Sequence, residues 1–160
     1  VSATSEKRFS YFTKDFWPKH HSKPKSIVFA QSYFEYVRLR NYFKNNYPDV
    51  CCISEYTKKR NFQNAMSNYN NGNIPVLLIT ERLVKLIGLK LGESSVKQVY
   101  FYSLPDFVDV FEFLLAATDV DGGFLTVLFT RFDALTVQRI AGDVSTERML
   151  SSYNAVFTFL

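Results

Sequence analysis

Five short apolar runs recur along this chain, at residues 27–30, 50–55, 76–80, 96–102 and 124–130, with amphipathic segments between them. No other feature constrains the fold as strongly. A continuous apolar run such as Ile27-Val-Phe-Ala30 suits a strand buried on both faces, and its alternation with helical patterning is the mark of a parallel sheet flanked by helices. The expected architecture is α/β: one three-layer lobe with five or six parallel strands.

The helical segments carry their own signals. Ser32 and Glu35 form a Ser-x-x-Glu capping box, after which Tyr36, Leu39 and Phe43 fall on one stripe. A helix over residues 58–70 is closed by Asn71-Gly72. Residues 81–91 read as a short helix or an irregular loop. Pro105 and Asp106 open a helix to about residue 117, with Asp106, Asp109 and Glu112 where the dipole favours acids. Phe107, Val110, Phe111 and Leu114 form its expected packing face. Asp119 to Gly123 reads as a turn, and two helices are expected at 133–140 and 145–150. Before the first strand, Phe9, Tyr11, Phe12, Phe16 and Trp17 are too apolar for a free tail. They predict a helix over 8–17 packed on the lobe, followed by a linker through residue 25. The division is therefore 1–25 N-terminal helix and linker, 26–150 lobe, and 151–160 a tail packing on the lobe, in which 154–160 can read as an edge strand.

With 160 residues, 47% of them hydrophobic, the chain can build one packed core. No run approaches eighteen apolar residues, so no membrane partner is expected, and the first residues lack the apolar core of a secretory signal. A first residue of Val reads as the start of a C-terminal fragment of a longer protein. Cys51 and Cys52 adjoin on a strand, so they point to opposite faces and cannot bridge to each other. With His20-His21 they lack zinc-ligand spacing, and no metal site is expected. Asp119 and Asp121 sit in an Asp-x-Asp-Gly-Gly turn without the later Glu of a calcium loop. No phosphate loop of the Gly-x-x-x-x-Gly-Lys-Ser/Thr type occurs, and no cofactor is expected. Charge is uneven: residues 1–60 hold twelve Lys/Arg against five Asp/Glu, whereas residues 61–160 hold seven against ten. The basic half suits contact with RNA or with an acidic protein segment.

Two motifs point further. Leu104-Pro105, with Phe111 six residues later, resembles the frame that precedes motif VI in the second RecA-like lobe of DEAD-box RNA helicases. The positions of the motif's His and three Arg hold Phe113, Leu114, Ala117 and Val120. An arginine finger works through fixed positive charge on the transferring phosphoryl group, which an apolar side chain cannot supply. Thr80-Glu81-Arg82 after an apolar strand resembles motif V, with Lys85 and Leu86 in place of its Arg and Gly. Further stretches, Arg8-Phe-Ser-Tyr-Phe12, residues 32–44, Ile53-Ser-Glu-Tyr-Thr57, Leu77 to Arg82 and residues 125–142, resemble the digestive-organ expansion factor family. Its members are small nucleolar RNA-associated proteins of the small-subunit processome with a DEAD-box-like body. The asparagine-rich stretch 61–73 departs from it, lacking the basic Gly-Arg ending of relatives.

The resemblance implies a degenerate RecA-like lobe, the second lobe of a superfamily 2 helicase, without catalytic residues. It implies a nuclear, nucleolar structural and interaction module in pre-rRNA processing for the small ribosomal subunit. The partners it implies are processome proteins, the small nucleolar ribonucleoprotein, pre-rRNA, and an N-terminal RecA-like lobe of the same protein. The alternative is the ATP- and RNA-binding half of an active DEAD-box-type helicase. Candidate RNA contacts are Arg38 and Arg40 beside the tyrosines of their helix, Lys58, Lys59 and Arg60 at a helix start where backbone N–H groups attract anions, and Thr80 and Arg82 of the motif V match. Phe111, Phe113, Leu114 and Leu115 are too many large apolar groups for one stripe, so Phe113 and Leu115 are candidates for an interaction surface.

Overall fold

The computed structural model describes residues 2–21, 24–86, 89, 91, 96–119 and 122–152, with side chains from residue 4 onward. Strands β1 (Ser26–Ala30), β2 (Val50–Cys52), β3 (Val76–Thr80), β4 (Gln98–Phe101) and β5 (Phe124–Val127) form one sheet in the order β2-β3-β1-β4-β5. Every pairing is parallel, with Ile27 opposite Leu77 and Val99, and Val99 opposite Leu125. The strands alternate with helices α3 (Tyr33–Asn46), α4 (Lys59–Asn70), α5 (Glu81–Leu86) and α6 (Val108–Ala116). The chain then closes with α7 (Ala134–Ala141) and α8 (Asp143–Ser151).

The handedness of parallel crossovers explains where the helices lie. The step from β1 to β2 runs one way across the sheet, and the next three steps run the other way. Right-handed crossovers therefore put α3 on one face and α4, α5 and α6 on the opposite face. The strand side chains divide accordingly, with period two. Ile27, Phe29, Leu77, Ile79, Val99 and Phe101 pack with Met66, Tyr69, Leu83, Val110 and Leu114 of the three-helix face. Val28, Ala30, Val76, Leu78, Tyr100 and Tyr102 pack with Tyr36, Leu39 and Phe43 of α3.

One crossover helix cannot cover five strands, and the N-terminal segment supplies the missing layer. Helix α1 (Ser2–Tyr11) runs through a π-helical turn at Phe12–Phe16 into α2 (Trp17–His20). Phe12 and Trp17 are fully buried against Tyr100 and Tyr102. In the π turn the Trp17 N–H donates to the Phe12 carbonyl, and Pro18, which has no N–H, follows at once. The widened turn points Phe12, Phe16 and Trp17 at the sheet together. The helical segment is thus longer at both ends than the expected 8–17. His20 belongs to it, with its Nδ1 2.7 Å from the Phe16 carbonyl and its ring stacked on Phe16, while the exposed His21 caps its end.

Other boundaries shift for local reasons. β2 ends at Cys52 because residues 54–57 form a turn, in which the Ser54 N–H donates to Thr57 Oγ1 and the Thr57 N–H to the Ser54 carbonyl. β5 ends at Val127, and Thr130 caps a 3-10 turn (Arg131–Asp133) before α7. Helix α6 begins at Val108, not Pro105, because the Asp106 carbonyl accepts from Arg139 and the Asp106 side chain accepts from Gln31. Phe107 becomes its exposed N-cap instead of a packing residue. The Ser32–Glu35 capping box forms as expected. The expected edge strand at 154–160 lies outside the described residues, as do Val120 and Asp121.

Candidate nucleic-acid interface

The loops after β1, β2 and β3, three adjacent strands, meet at the carboxyl edge of the sheet. Glu55, from the loop after β2, is the hinge of this corner. Its side chain is 6% exposed, its Oε2 accepts from the Thr80 hydroxyl at 2.7 Å, and its Oε1 lies 4.0 Å from Arg82 Nε. Thr80 Oγ1 in turn accepts from the Leu83 N–H, capping α5. Thr80 is itself buried, so it positions Glu55 and α5 and does not face outward.

The tripeptide Thr80-Glu81-Arg82 therefore divides its work. Glu81 turns inward and accepts from the Phe107 N–H at 3.0 Å, satisfying a donor at the start of α6. Burial holds its carboxyl above the usual glutamate range, opposed by backbone N–H groups of Phe107 and Asp106. Arg82 turns outward, and its side chain stays 65% exposed while Glu55 anchors one edge. Lys58, Lys59 and Arg60 are all exposed at the start of α4, where unpaired N–H groups and the helix dipole add positive potential.

The structure separates Arg38 from this group. Its guanidinium lies 4.0 Å above the Phe9 ring and 2.5 Å from Glu6 Oε2, so it fastens α3 to α1. Arg40 lies 6.0 Å from the Tyr36 ring, on the flank of α3 that also carries Lys44. The cysteines are half-buried and free, and burial pushes the Cys52 thiol up to about 12 and raises Cys51 as well. Neither is a thiolate near neutral pH. Among the described residues no cluster of His, Cys, Asp and Glu could hold a metal ion, and no helix is long and apolar enough to cross a membrane.

On α6 the positions matched to motif VI diverge. Leu114 is fully buried among Val99, Phe101 and Val110, whereas Phe113 is 37% exposed and its neighbour Leu115 49% exposed. Phe113 lines a shallow groove with Val84, Lys85, Asp109 and Val110.

Sequence reasoning missed Glu55, Tyr56 and Tyr33 as parts of this corner. The Ser-Glu-Tyr-Thr block was visible, but nothing local says that Glu55 reaches the strand-end threonine of β3.

Fold and corner together define a RecA-like lobe of the kind found as the second domain of DEAD-box proteins. The solved C-terminal domain of the DEAD-box protein Dbp5 superposes with a TM-score of 0.66 over 84% of this chain and 78% of that one, at 17% identity. The chain belongs to the family described as Utp25, C-terminal domain, which it matches over residues 1–159. Among its relatives, U3 small nucleolar RNA-associated protein 25 of Arthroderma benhamiae is 35% identical over 178 residues, spanning 97% of this chain and 24% of that protein. Protein NUCLEOLAR FACTOR 1 of Arabidopsis thaliana is 29% identical over 163 residues, spanning 99% of this chain and 21% of that protein. The chain thus spans about a quarter or less of the length of these relatives.

Proposed function

We propose that this lobe is a non-catalytic part of a U3-associated ribosome biogenesis factor, working as a structural and interaction module in the small-subunit processome. The observation that carries the reading is at α6. Where an active helicase lobe presents the charges of motif VI, this chain has Leu114 built into its core and Phe113 at its surface. A buried leucine cannot be exchanged for a working arginine without dismantling the packing around it. The nucleolus is the compartment this reading assigns, because both relatives carry it in their names.

Two surfaces do the work in this reading. The basic corner of Lys58, Lys59, Arg60 and Arg82, flanked by Arg40, takes RNA phosphates. The apolar side of α6 at Phe113 and Leu115 seats the N-terminal RecA-like lobe of the same protein, making the former catalytic cleft a permanent joint. The greater length of the relatives leaves room for such a lobe.

The test uses the full-length protein. Steady-state ATP hydrolysis is expected to stay at background with and without RNA, while U3 small nucleolar RNA co-purifies. RNA-stimulated turnover that is lost on mutating this lobe would establish the active-helicase alternative instead.

A further inference from the structure

Beside the basic corner stands a set of aromatic rings that phosphate binding does not use. Tyr36 is buried in α3, Tyr33 stacks on it at 5.6 Å between ring centroids, and Tyr56 meets Tyr33 edge-to-face at 4.9 Å. The three rings form a ladder from the core to the surface. Its outer ring, Tyr56, is 65% exposed, and Phe34 beside Tyr33 is 89% exposed. The loop bearing Tyr56 is tied down: its N–H faces Ser54 Oγ at 3.4 Å, and Ser54 and Thr57 exchange hydrogen bonds at 2.9 Å. A large apolar ring is thus held in water on a braced turn.

The charges around it are positive. Lys58 to Arg60 follow Tyr56 after Thr57 alone, and Arg82 reaches the same turn through Glu55. Glu55, the one acid of that turn, is already engaged by Thr80 and Arg82. Exposed aromatics interleaved with cations match a polyanion that also offers flat apolar faces. An acidic protein segment would meet the cations, but it does not bring a flat ring with every charge as each nucleotide of RNA does. Duplex RNA would meet the cations, but its base faces are stacked on each other and unavailable.

We propose that this corner is a stacking platform for single-stranded RNA, in which a base lies against Tyr56 backed by Tyr33 while the adjoining phosphates run over Lys58, Lys59, Arg60 and Arg82. The inference rests on the RNA-contact part of the function proposed above and adds the state of the strand and the residues that read it. Recognition is tolerant of sequence, since every base has a stacking face.

The experiment measures anisotropy of a labelled oligouridylate roughly ten nucleotides long, and of an RNA duplex of equal length, with this chain and its variants. The chain is expected to prefer the single strand. Tyr56→Ala should weaken single-strand binding roughly tenfold while leaving duplex binding and the salt slope unchanged. Tyr56→Trp should retain the preference, which separates loss of the ring from loss of the fold. Equal single-strand affinity in the parent and Tyr56→Ala overturns the stacking platform. If Lys58, Lys59 and Arg60 replaced together by Ala still reduce the salt slope in that case, the phosphate reading stands alone. Failure of the parent to bind either RNA at low salt removes the RNA reading itself, and the platform with it. Loss of processome proteins from Tyr56→Ala with unchanged RNA affinity would make the corner a protein-docking surface, against the proposal.

Discussion

Arg8 Nη2 lies 2.5 Å from Asp133 Oδ2, joining the first helix to the entrance of α7 across 125 positions of sequence. The other arm of the guanidinium, Nη1, faces Glu35 Oε1 at 3.5 Å, and Glu35 Oε2 accepts from the Ser103 hydroxyl at 2.6 Å. Asp133 also accepts from the Thr130 N–H, so the same carboxylate caps its own turn. A planar fork that meets two carboxylates at once ties α1, α3, the end of β4 and the approach to α7 into one unit. Arg8→Leu would leave two partly buried carboxylates facing each other. It should lower stability by about 2–3 kcal/mol, below the loss for breaking a fully buried pair because these side chains keep some solvent. Arg8→Lys should recover part of this, as one ammonium cannot span both acids. Urea denaturation measures it, and unchanged midpoints would show the junction to be energetically silent.

Glu81 should impose a pH dependence of known sign. Its carboxyl titrates above the usual glutamate value, chiefly through burial. The folded state therefore binds its proton more readily than the unfolded state. The stability contributed by the protonated form is fully present below the unfolded value and is lost as pH rises through the folded one. Glu81→Gln keeps an oxygen to accept the Phe107 N–H and removes the ionisation. The variant should gain stability relative to the parent as pH rises from the ordinary glutamate value through the raised titration of Glu81. Parallel denaturation curves across that range would contradict it.

Replacing Lys58, Lys59 and Arg60 together by Ala should weaken RNA binding without regard to sequence and flatten its salt dependence. The log–log slope should fall in magnitude by roughly 2–3, at about 0.7–0.9 for each lost phosphate contact. All three side chains are exposed, so the fold should be unaffected. A slope equal to that of the parent would assign these residues to a solvated face.

Leu115 is more exposed than Phe113, which makes it the better probe of the joint on α6. Leu115→Glu should leave this chain folded and reduce recovery of processome proteins with the full-length protein. Leu114→Ala, one position away and fully buried, should instead cost about 2–5 kcal/mol of stability. Equal recovery with parent and Leu115→Glu would rule out the joint.

By itself the sequence determined the layers and most of the elements. Runs such as Ile27 to Ala30 and Val76 to Ile79 are apolar at every position because both faces of their strands are covered, and that pattern needs no partner to be read. The Ser32–Glu35 box is equally legible, since both of its hydrogen bonds close within four residues. The Leu-Pro frame and the Thr-Glu-Arg tripeptide were legible through their resemblance to helicase motifs. Only the tertiary structure decided the rest. Strand order put the loops after β1, β2 and β3 side by side, which brought Tyr33 to Tyr56 and Glu55 to Thr80 and Arg82. The direction of each crossover left one face short of helices, and so decided which face the N-terminal aromatic segment, expected from its composition to pack on the lobe, would cover. Arg38 and Arg82 look alike in sequence, yet one is spent on Phe9 and Glu6 while the other faces solvent. Local pattern records how much of a residue's surface must be covered, whereas which neighbour covers it depends on the path of the whole chain.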